Sequence, residues 1–134
     1  MQGSMAIERV LLVDDDASIR ELAAMGLEGM TDWKVELASS GAEALDKANH
    51  SRPDVILLDL MMPGLDGLEV IARLRNDPAV AEVPVILMTA KVEPQESDRY
   101  RKAGFCGLIT KPFDPVTLSE EIEQMVARHS QPDR

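Results

Sequence analysis

The sequence has 134 residues, 45% of them hydrophobic and 28% charged, which is enough for one globular domain with a buried core. Its formal net charge of −10 disfavours direct binding to nucleic acid or to an anionic membrane, because binding to phosphate groups needs clustered Lys and Arg. A single cysteine, Cys106, excludes a disulfide framework, and no signal peptide or membrane-length apolar run is present. We therefore expect a cytoplasmic protein with no direct nucleic-acid partner and no membrane partner.

Apolar runs alternate with helical patterns along the chain and predict five strands, each followed by a helix. The strands are predicted at Arg9–Val13, Lys34–Ala38, Val55–Asp59, Val85–Thr89 and residues 107–109. Helix starts are marked by cap residues: Ser40 with Glu43, Asp66 with Glu69, and Asp114 followed by Pro115. Gly104 stands where a left-handed cap would end the helix predicted within residues 92–103.

This alternation predicts an α/β fold, a doubly wound parallel sheet covered by helices on both faces, in one domain. Residues 1–5 resemble the remnant of a cloning vector, residues 6–128 form the domain, and residues 129–134 form a polar tail. In sheets of this class, ligands bind beyond the carboxyl ends of the strands. The chemistry of the chain is therefore expected at that edge.

Polar side chains stand at the ends of the predicted strands: Asp14, Asp15, Asp59, Thr89 and Lys111. Three neighbouring carboxylates repel one another unless a cation intervenes, and an oxygen-only set suits a hard ion such as Mg²⁺. A Lys and a Thr hydroxyl beside them could offset the charge of a transferring phosphoryl group. The set suits phosphoryl transfer to a carboxylate oxygen, since an Asp side chain can act as a covalent acceptor and give an acyl phosphate.

The order and spacing of four motifs resemble the response-regulator receiver domains of two-component signalling, over roughly residues 7–128. The motifs are Val13-Asp14-Asp15-Asp16, Asp59-Leu60-Met61-Met62-Pro63-Gly64-Leu65-Asp66-Gly67, Thr89-Ala90 and Lys111-Pro112-Phe113. The resemblance implies a flavodoxin-like strand order, 2-1-3-4-5, and a cis Lys111-Pro112 bond.

The same resemblance implies a role for each matched residue. Asp59 is the phosphoacceptor, and Thr89 and Lys111 contact phosphoryl oxygens. Asp14 and Asp15, together with Asp59 and the backbone carbonyl of Met61, hold Mg²⁺. Such a domain is a phosphoryl acceptor with self-phosphorylation and self-dephosphorylation activity, and it is not otherwise an enzyme.

The resemblance also implies partners. The phosphoryl donor is a sensor histidine kinase or a histidine phosphotransfer protein, and small acyl phosphates can substitute for it. The switched face, made by the fourth helix, fifth strand and fifth helix, binds a downstream protein target, and a dimer can form on phosphorylation. The sequence leaves open whether the chain acts alone or as the receiver part of a larger regulator or hybrid kinase.

Two positions depart from the family pattern. Leu108 stands where the family carries an aromatic residue on the fifth strand, so we expect the signal to pass through Thr89, residues 92–103 and the packing of Leu108 instead. Met61 and Lys91 stand where the family tunes the lifetime of the phosphoryl group. Because Met61 offers no group to orient water, we expect slow self-dephosphorylation.

Two other classes of protein stay open. A Mg²⁺-dependent phosphatase with an Asp nucleophile, of the haloacid-dehalogenase type, would want a second Asp where Met61 stands. A histidine phosphotransfer module would be a helical bundle, and the strand pattern disfavours it. Asp16 fits a helix cap as well as it fits the site. The methionines, Met25 and Met88 among them, are interpreted as core filler.

Overall fold

The computed structural model describes residues 6–90 and 94–129, and within them strands and α-helices alternate. The strands are β1 (Arg9–Val13), β2 (Lys34–Ala38), β3 (Val55–Asp59), β4 (Val85–Thr89) and β5 (Gly107–Thr110). The helices are α1 (Ala17–Met30), α2 (Gly41–Ser51), α3 (Gly67–Arg75), α4 (Ser97–Ala103) and α5 (Leu118–His129). A 3-10 turn, Pro94–Glu96, leads into α4.

The strands form one parallel sheet in the order β2-β1-β3-β4-β5, which confirms the predicted doubly wound fold. The cis Lys111-Pro112 bond is also present. Within the described residues, no helix is both long enough and apolar enough to cross a membrane.

Alternating side chains of the strands pack into two cores, one on each face of the sheet. Leu11, Leu58 and Leu87 point to the face covered by α2, α3 and α4. Leu12 and Leu57 point to the other face, which α1 and α5 cover. β1, β3 and β4 are buried on both faces and are apolar except at one end each, at Arg9, Asp59 and Thr89, and this is the signal by which the sequence revealed them.

Most predicted element ends are confirmed, with two differences. β5 runs one residue further than predicted, because Thr110 pairs with Thr89 on β4. α5 begins at Leu118 rather than at Pro115, because the Asp114 carboxylate accepts the Val116 N–H in a separate turn before the helix. The start predicted at Pro115 was wrong because a capped turn and a capped helix share the same sequence signal.

The ends of α3 and α4 are held together by one half-buried side chain. Gly104 ends α4 with φ of 115°, as the sequence predicted. The Arg75 guanidinium at the end of α3 donates hydrogen bonds to the backbone carbonyls of Ala81, Val83 and Gly104. These bonds fix the carboxyl end of α4 against the body of the domain.

Candidate phosphoryl-acceptor site

The predicted polar residues come together at the carboxyl edge of the sheet. Asp59 and Thr89 are the last residues of β3 and β4, and Asp14 directly follows β1. Backbone bonding continues past the strands, because Asp14 N–H donates to Ala38 and Lys111 N–H donates to Thr89, with N···O distances of 3.1 and 2.9 Å. The positions of Asp14 and Lys111 are therefore set by the sheet rather than by free loops.

Two glycines let the chain turn closely after Asp59. Gly64 has a φ of 79°, a conformation that residues with a Cβ rarely adopt. At Gly67 an added Cβ would lie 2.9 Å from the Asp59 carbonyl oxygen, so a side chain there would push α3 off the end of β3. Asp66 then starts α3 as one half of a capping box with Glu69, and this confirms its assignment as a cap.

Three of the four predicted metal ligands lie close enough to share one ion. Asp14, Asp15 and Asp59 each offer a carboxylate oxygen, and the three oxygens lie within 4.8 Å of one another. Asp14 is fully buried and Asp59 is 5% exposed, whereas Asp15 is open to solvent. The acidic pocket therefore has a buried floor and an open side.

Lys111 lies between the two buried carboxylates. Its Nζ is 2.6 Å from Asp14 Oδ2 and 3.2 Å from Asp59 Oδ1. The contact with Asp14 is an ion pair outside hydrogen-bond geometry, so Asp14 Oδ2 has no hydrogen-bond donor among the described residues. Asp14 Oδ1, by contrast, accepts the Asp16 N–H at 2.9 Å. The buried Asp14 Oδ2 is therefore stabilised by the charge of Lys111, and a bound cation would add to that stabilisation.

The electrostatics of the pocket disfavour ionisation of Asp59. Burial and then the nearby charge of Asp14 raise the pKa of Asp59 to about 6, and Lys111 opposes them only in part. For Lys111, burial works to lower the pKa, but the contacts with Asp14 and then Asp59 outweigh it and hold the pKa above its usual value. The pocket thus carries more negative charge than its one lysine compensates.

The carboxylates lie in a cleft of about 590 Å³. Thr89, 4% exposed, lines this cleft together with Asp59 and Lys111. Two lining residues were not predicted from the sequence, Glu96 and Tyr100. No local pattern could have revealed them, because their position depends on how the chain returns from β4 into α4.

Two other residues singled out in the sequence, Met61 and Asp16, also lie at the cleft. Met61 lines the cleft with a side chain that is 73% exposed. Asp16 caps α1 by accepting the Ser18 N–H, and it also lines the cleft. Lys91, and residues 92 and 93 of the segment expected to carry the signal, lie outside the described residues. Met88 is core filler as predicted, but Met25 is 66% exposed on α1, so that assignment was wrong.

One family model matches most of the chain. The model of the response regulator receiver domain matches residues 10–123. The chain belongs to this family. Receiver domains are in general phosphoacceptor switches rather than classical enzymes. Phosphorylation-based signalling is therefore the general function of this receiver domain.

Solved and curated relatives fall into two groups by length. The chemotaxis protein CheY4 of Vibrio cholerae has 33% sequence identity and a TM-score of 0.83, and the match covers 90% of this chain and 99% of that one. ResD, a transcriptional regulatory protein of Bacillus subtilis, is 39% identical over 92% of this chain but only 50% of its own length. The receiver thus spans about half the length of the curated relatives it matches.

The expectation of no direct nucleic-acid partner is corrected by these relatives. RpaA of Synechocystis is described as a DNA-binding dual master transcriptional regulator, and it is 38% identical over 90% of this chain and 46% of its own length. The inference from net charge was wrong because the net charge of a receiver domain describes that domain alone. It carries no information about the rest of a regulator twice as long, so the exclusion is withdrawn.

Proposed function

We propose that this receiver accepts a phosphoryl group on Asp59 from the phosphohistidine of a sensor histidine kinase or phosphotransfer protein. The observation that carries the proposal is the placement of Asp59, 5% exposed, on the floor of an acidic cleft with Lys111 Nζ 3.2 Å from its carboxylate. Few structural roles suit a carboxylate buried beside a second carboxylate, whereas an acceptor of phosphoryl groups needs this arrangement.

The residues present fit a divalent cation. The available ligand atoms are carboxylate oxygens. One of them, the buried Asp14 Oδ2, accepts no hydrogen bond from the described residues. Asp14, Asp15, Asp59 and the backbone carbonyl of Met61 would hold Mg²⁺, which prefers oxygen ligands and keeps part of its water. The ion would supply positive charge that stabilises the transferring phosphoryl oxygens.

The proposed transfer forms one bond at Asp59 and breaks one bond in the donor. A carboxylate oxygen of Asp59 attacks the phosphorus of the phosphohistidine, and an O–P bond forms as the N–P bond breaks. The electron pair of that bond stays with the imidazole nitrogen of the donor, which takes up a proton. The product is an acyl phosphate on Asp59 and a neutral histidine on the donor.

Two further side chains take part by charge and by hydrogen bonding. The Lys111 ammonium, already in contact with Asp59, offsets the negative charge of the phosphoryl group. The Thr89 hydroxyl, at the end of the neighbouring strand, donates a hydrogen bond to a phosphoryl oxygen. The new contacts of Thr89 then change the face formed by α4, β5 and α5, with Leu108 in place of the aromatic residue usual in the family.

Phosphatase turnover has less support than acceptor chemistry. The residue two positions after Asp59 is Met61, whose side chain lines the cleft without an acid or base. We therefore propose that loss of the phosphoryl group from Asp59 is slow self-dephosphorylation.

The test is the intact mass of the protein after incubation with acetyl phosphate and Mg²⁺. We expect one phosphoryl adduct on the wild type and on Asp32→Asn, an exposed carboxylate outside the cleft, and none on Asp59→Asn. The adduct should be lost in alkali and should require Mg²⁺. An adduct that persists on Asp59→Asn, or a linkage that is stable to alkali and lost in acid, as phosphohistidine is, would refute the proposal.

A further inference from the structure

Tyr100 on α4 lines two cavities at once. It lines the acidic cleft with Asp59 and Lys111, and it lines a separate, largely apolar groove of about 180 Å³. The groove is formed by residues of α4 and by the start of β5: Ser97, Tyr100, Arg101, Phe105, Cys106, Gly107 and Leu108. Among the described residues, Tyr100 is the one that both cavities share.

The strands place Tyr100 beside the residues that face the site. Leu87 and Thr89 are two apart on β4, so their side chains point to the same face of the sheet. Leu87 pairs with Leu108 on β5. Tyr100 packs into the core on this face, with Leu87 in it and Leu108 against it. Tyr100 therefore packs on the same face of the sheet as Thr89 and Leu108.

The surroundings of Tyr100 are fixed on one side and open on the other. Its carbonyl accepts the Phe105 N–H at 3.2 Å, and its ring meets the Phe105 ring edge to face with centroids 6.4 Å apart. Arg75 anchors the end of α4 through the Gly104 carbonyl. On the groove side, Leu108 is smaller than an aromatic ring, so the Tyr100 ring has space toward the groove.

We propose that Tyr100 is the residue that couples occupancy of the acidic cleft to the shape of the groove beside Leu108. This inference rests on the proposed phosphorylation of Asp59. A phosphoryl group adds volume and close to two negative charges to the cleft that Tyr100 lines. The ring shifts toward the groove, where there is space, and this movement changes the packing of Leu108. Tyr100 is a positioning residue and takes no part in the chemistry.

The experiment compares backbone amide spectra of the full chain with and without beryllofluoride and Mg²⁺, a non-covalent phosphoryl mimic. In the wild type we expect shifts at Leu60 and Ala90, which line the cleft, and at Gly107 and Leu108, which line the groove. In Tyr100→Leu the cleft shifts should persist, while the groove shifts should fall to less than half of their wild-type size.

Matched variants separate coupling from loss of packing. Phe105→Leu removes the other aromatic ring of the groove and should keep the groove shifts. Tyr100→Phe keeps the ring and should also keep them. If Tyr100→Leu does not fold, Tyr100→Met replaces it, because a flexible side chain fills the site without a ring.

The outcomes distinguish this inference from the proposed function. Cleft shifts without groove shifts in the wild type, or full groove shifts in Tyr100→Leu, overturn the coupling role alone. Equal loss in Phe105→Leu or Tyr100→Phe also overturns it, because the effect would then not belong to the Tyr100 ring. No shift at the cleft, together with no adduct from acetyl phosphate, overturns the proposed function and the coupling with it.

Discussion

Ionisation of Asp59 costs more free energy in the folded protein than ionisation of a free carboxylate. Burial raises its pKa to about 6 from an ordinary value of 3.8, with the charge of Asp14 adding to the effect. Its ionisation therefore opposes folding, and the same ionised oxygen is the proposed nucleophile. Stability and reactivity are in conflict at this residue, as is common where a site places like charges together.

The pH dependence of stability should reveal this conflict. The pKa of Asp59 is higher in the folded than in the unfolded state, so the protonated side chain favours folding. This contribution to the free energy of unfolding is fully present below about pH 4 and is lost as the pH rises through about 6. Without metal, Asp59→Asn should gain roughly 1–3 kcal/mol over the wild type between pH 4 and pH 7, since one pKa unit is about 1.4 kcal/mol. Urea unfolding at each pH measures the difference.

Asp32→Asn is the control for this pH series, because Asp32 is exposed in the turn before β2. Its difference from the wild type should not change across the pH 4–7 window. A difference for Asp59→Asn that is equally flat, or one that falls with rising pH, would contradict the raised pKa.

Met61 bears on the lifetime of the acyl phosphate. Its exposed side chain lines the cleft and offers no polar group to water. Met61→Asn should speed dephosphorylation by up to about tenfold. This is less than the about hundredfold rate increase that a positioned general base gives, because an amide orients water without taking its proton. The decay of the phosphorylated mass measures the rate. Met61→Leu should leave it unchanged, and an equal change in both variants would point to altered access instead.

Among the elements, α1 approaches the connection between β5 and α5 most closely at a glycine. A Cβ added at Gly26 would lie 2.4 Å from the Pro115 carbonyl oxygen. The same carbonyl belongs to the turn that follows the Lys111-Pro112 bond. Gly26 thus allows α1 to support the segment that leads away from Lys111.

Two glycines of α1 should respond to alanine in opposite directions. Gly26→Ala should destabilise by roughly 1–3 kcal/mol, the range for overpacking, because backbone atoms cannot move aside as a side chain can. Gly29→Ala should stabilise by about 0.5–1 kcal/mol, because no atom lies within 4 Å of the new Cβ and alanine favours the helix. Thermal and urea unfolding of both variants test this. Stabilisation by Gly26→Ala would mean that the close approach relaxes freely.

At the scale of the whole molecule, one sheet separates two cores, and the acidic pocket lies at the edge where strands from the centre of that sheet end. Because Asp14 and Asp59 are carried by neighbouring strands, a cation that binds both links β1 to β3. Binding of the ion is therefore expected to stabilise the entire domain rather than a loop.

Mg²⁺ should raise the free energy of unfolding at constant ionic strength. Above the dissociation constant the gain should approach about 1.4 kcal/mol for each tenfold increase in free Mg²⁺, the slope expected for one site that exists only in the folded state. Calorimetry or urea unfolding gives the slope. Asp14→Asn should flatten it and Asp32→Asn should keep it. An undiminished slope in Asp14→Asn would place the ion elsewhere.

The elements that the sequence located well were those with a local cause. β1, β3 and β4 are apolar on both faces, and Asp66 with Glu69 forms a capping box within four residues, so each could be identified without the rest of the chain. Asp114 had the same kind of signal but starts a turn instead, because only the packing of the following residues decides whether a cap leads into a helix. Met25 was misassigned for a related reason, since apolar character alone does not say which side of α1 is covered.

By itself, the sequence determined the strands, the doubly wound fold and the set of polar residues at strand ends, because hydrophobic periodicity and turn chemistry are properties of neighbouring residues. Only the tertiary structure decided that Asp14 Oδ2 is buried without a hydrogen-bond donor, that Lys111 lies between two carboxylates, and that Tyr100 lines both the cleft and the groove. These are contacts between residues far apart in the chain, and their geometry is set by how helices pack on the sheet.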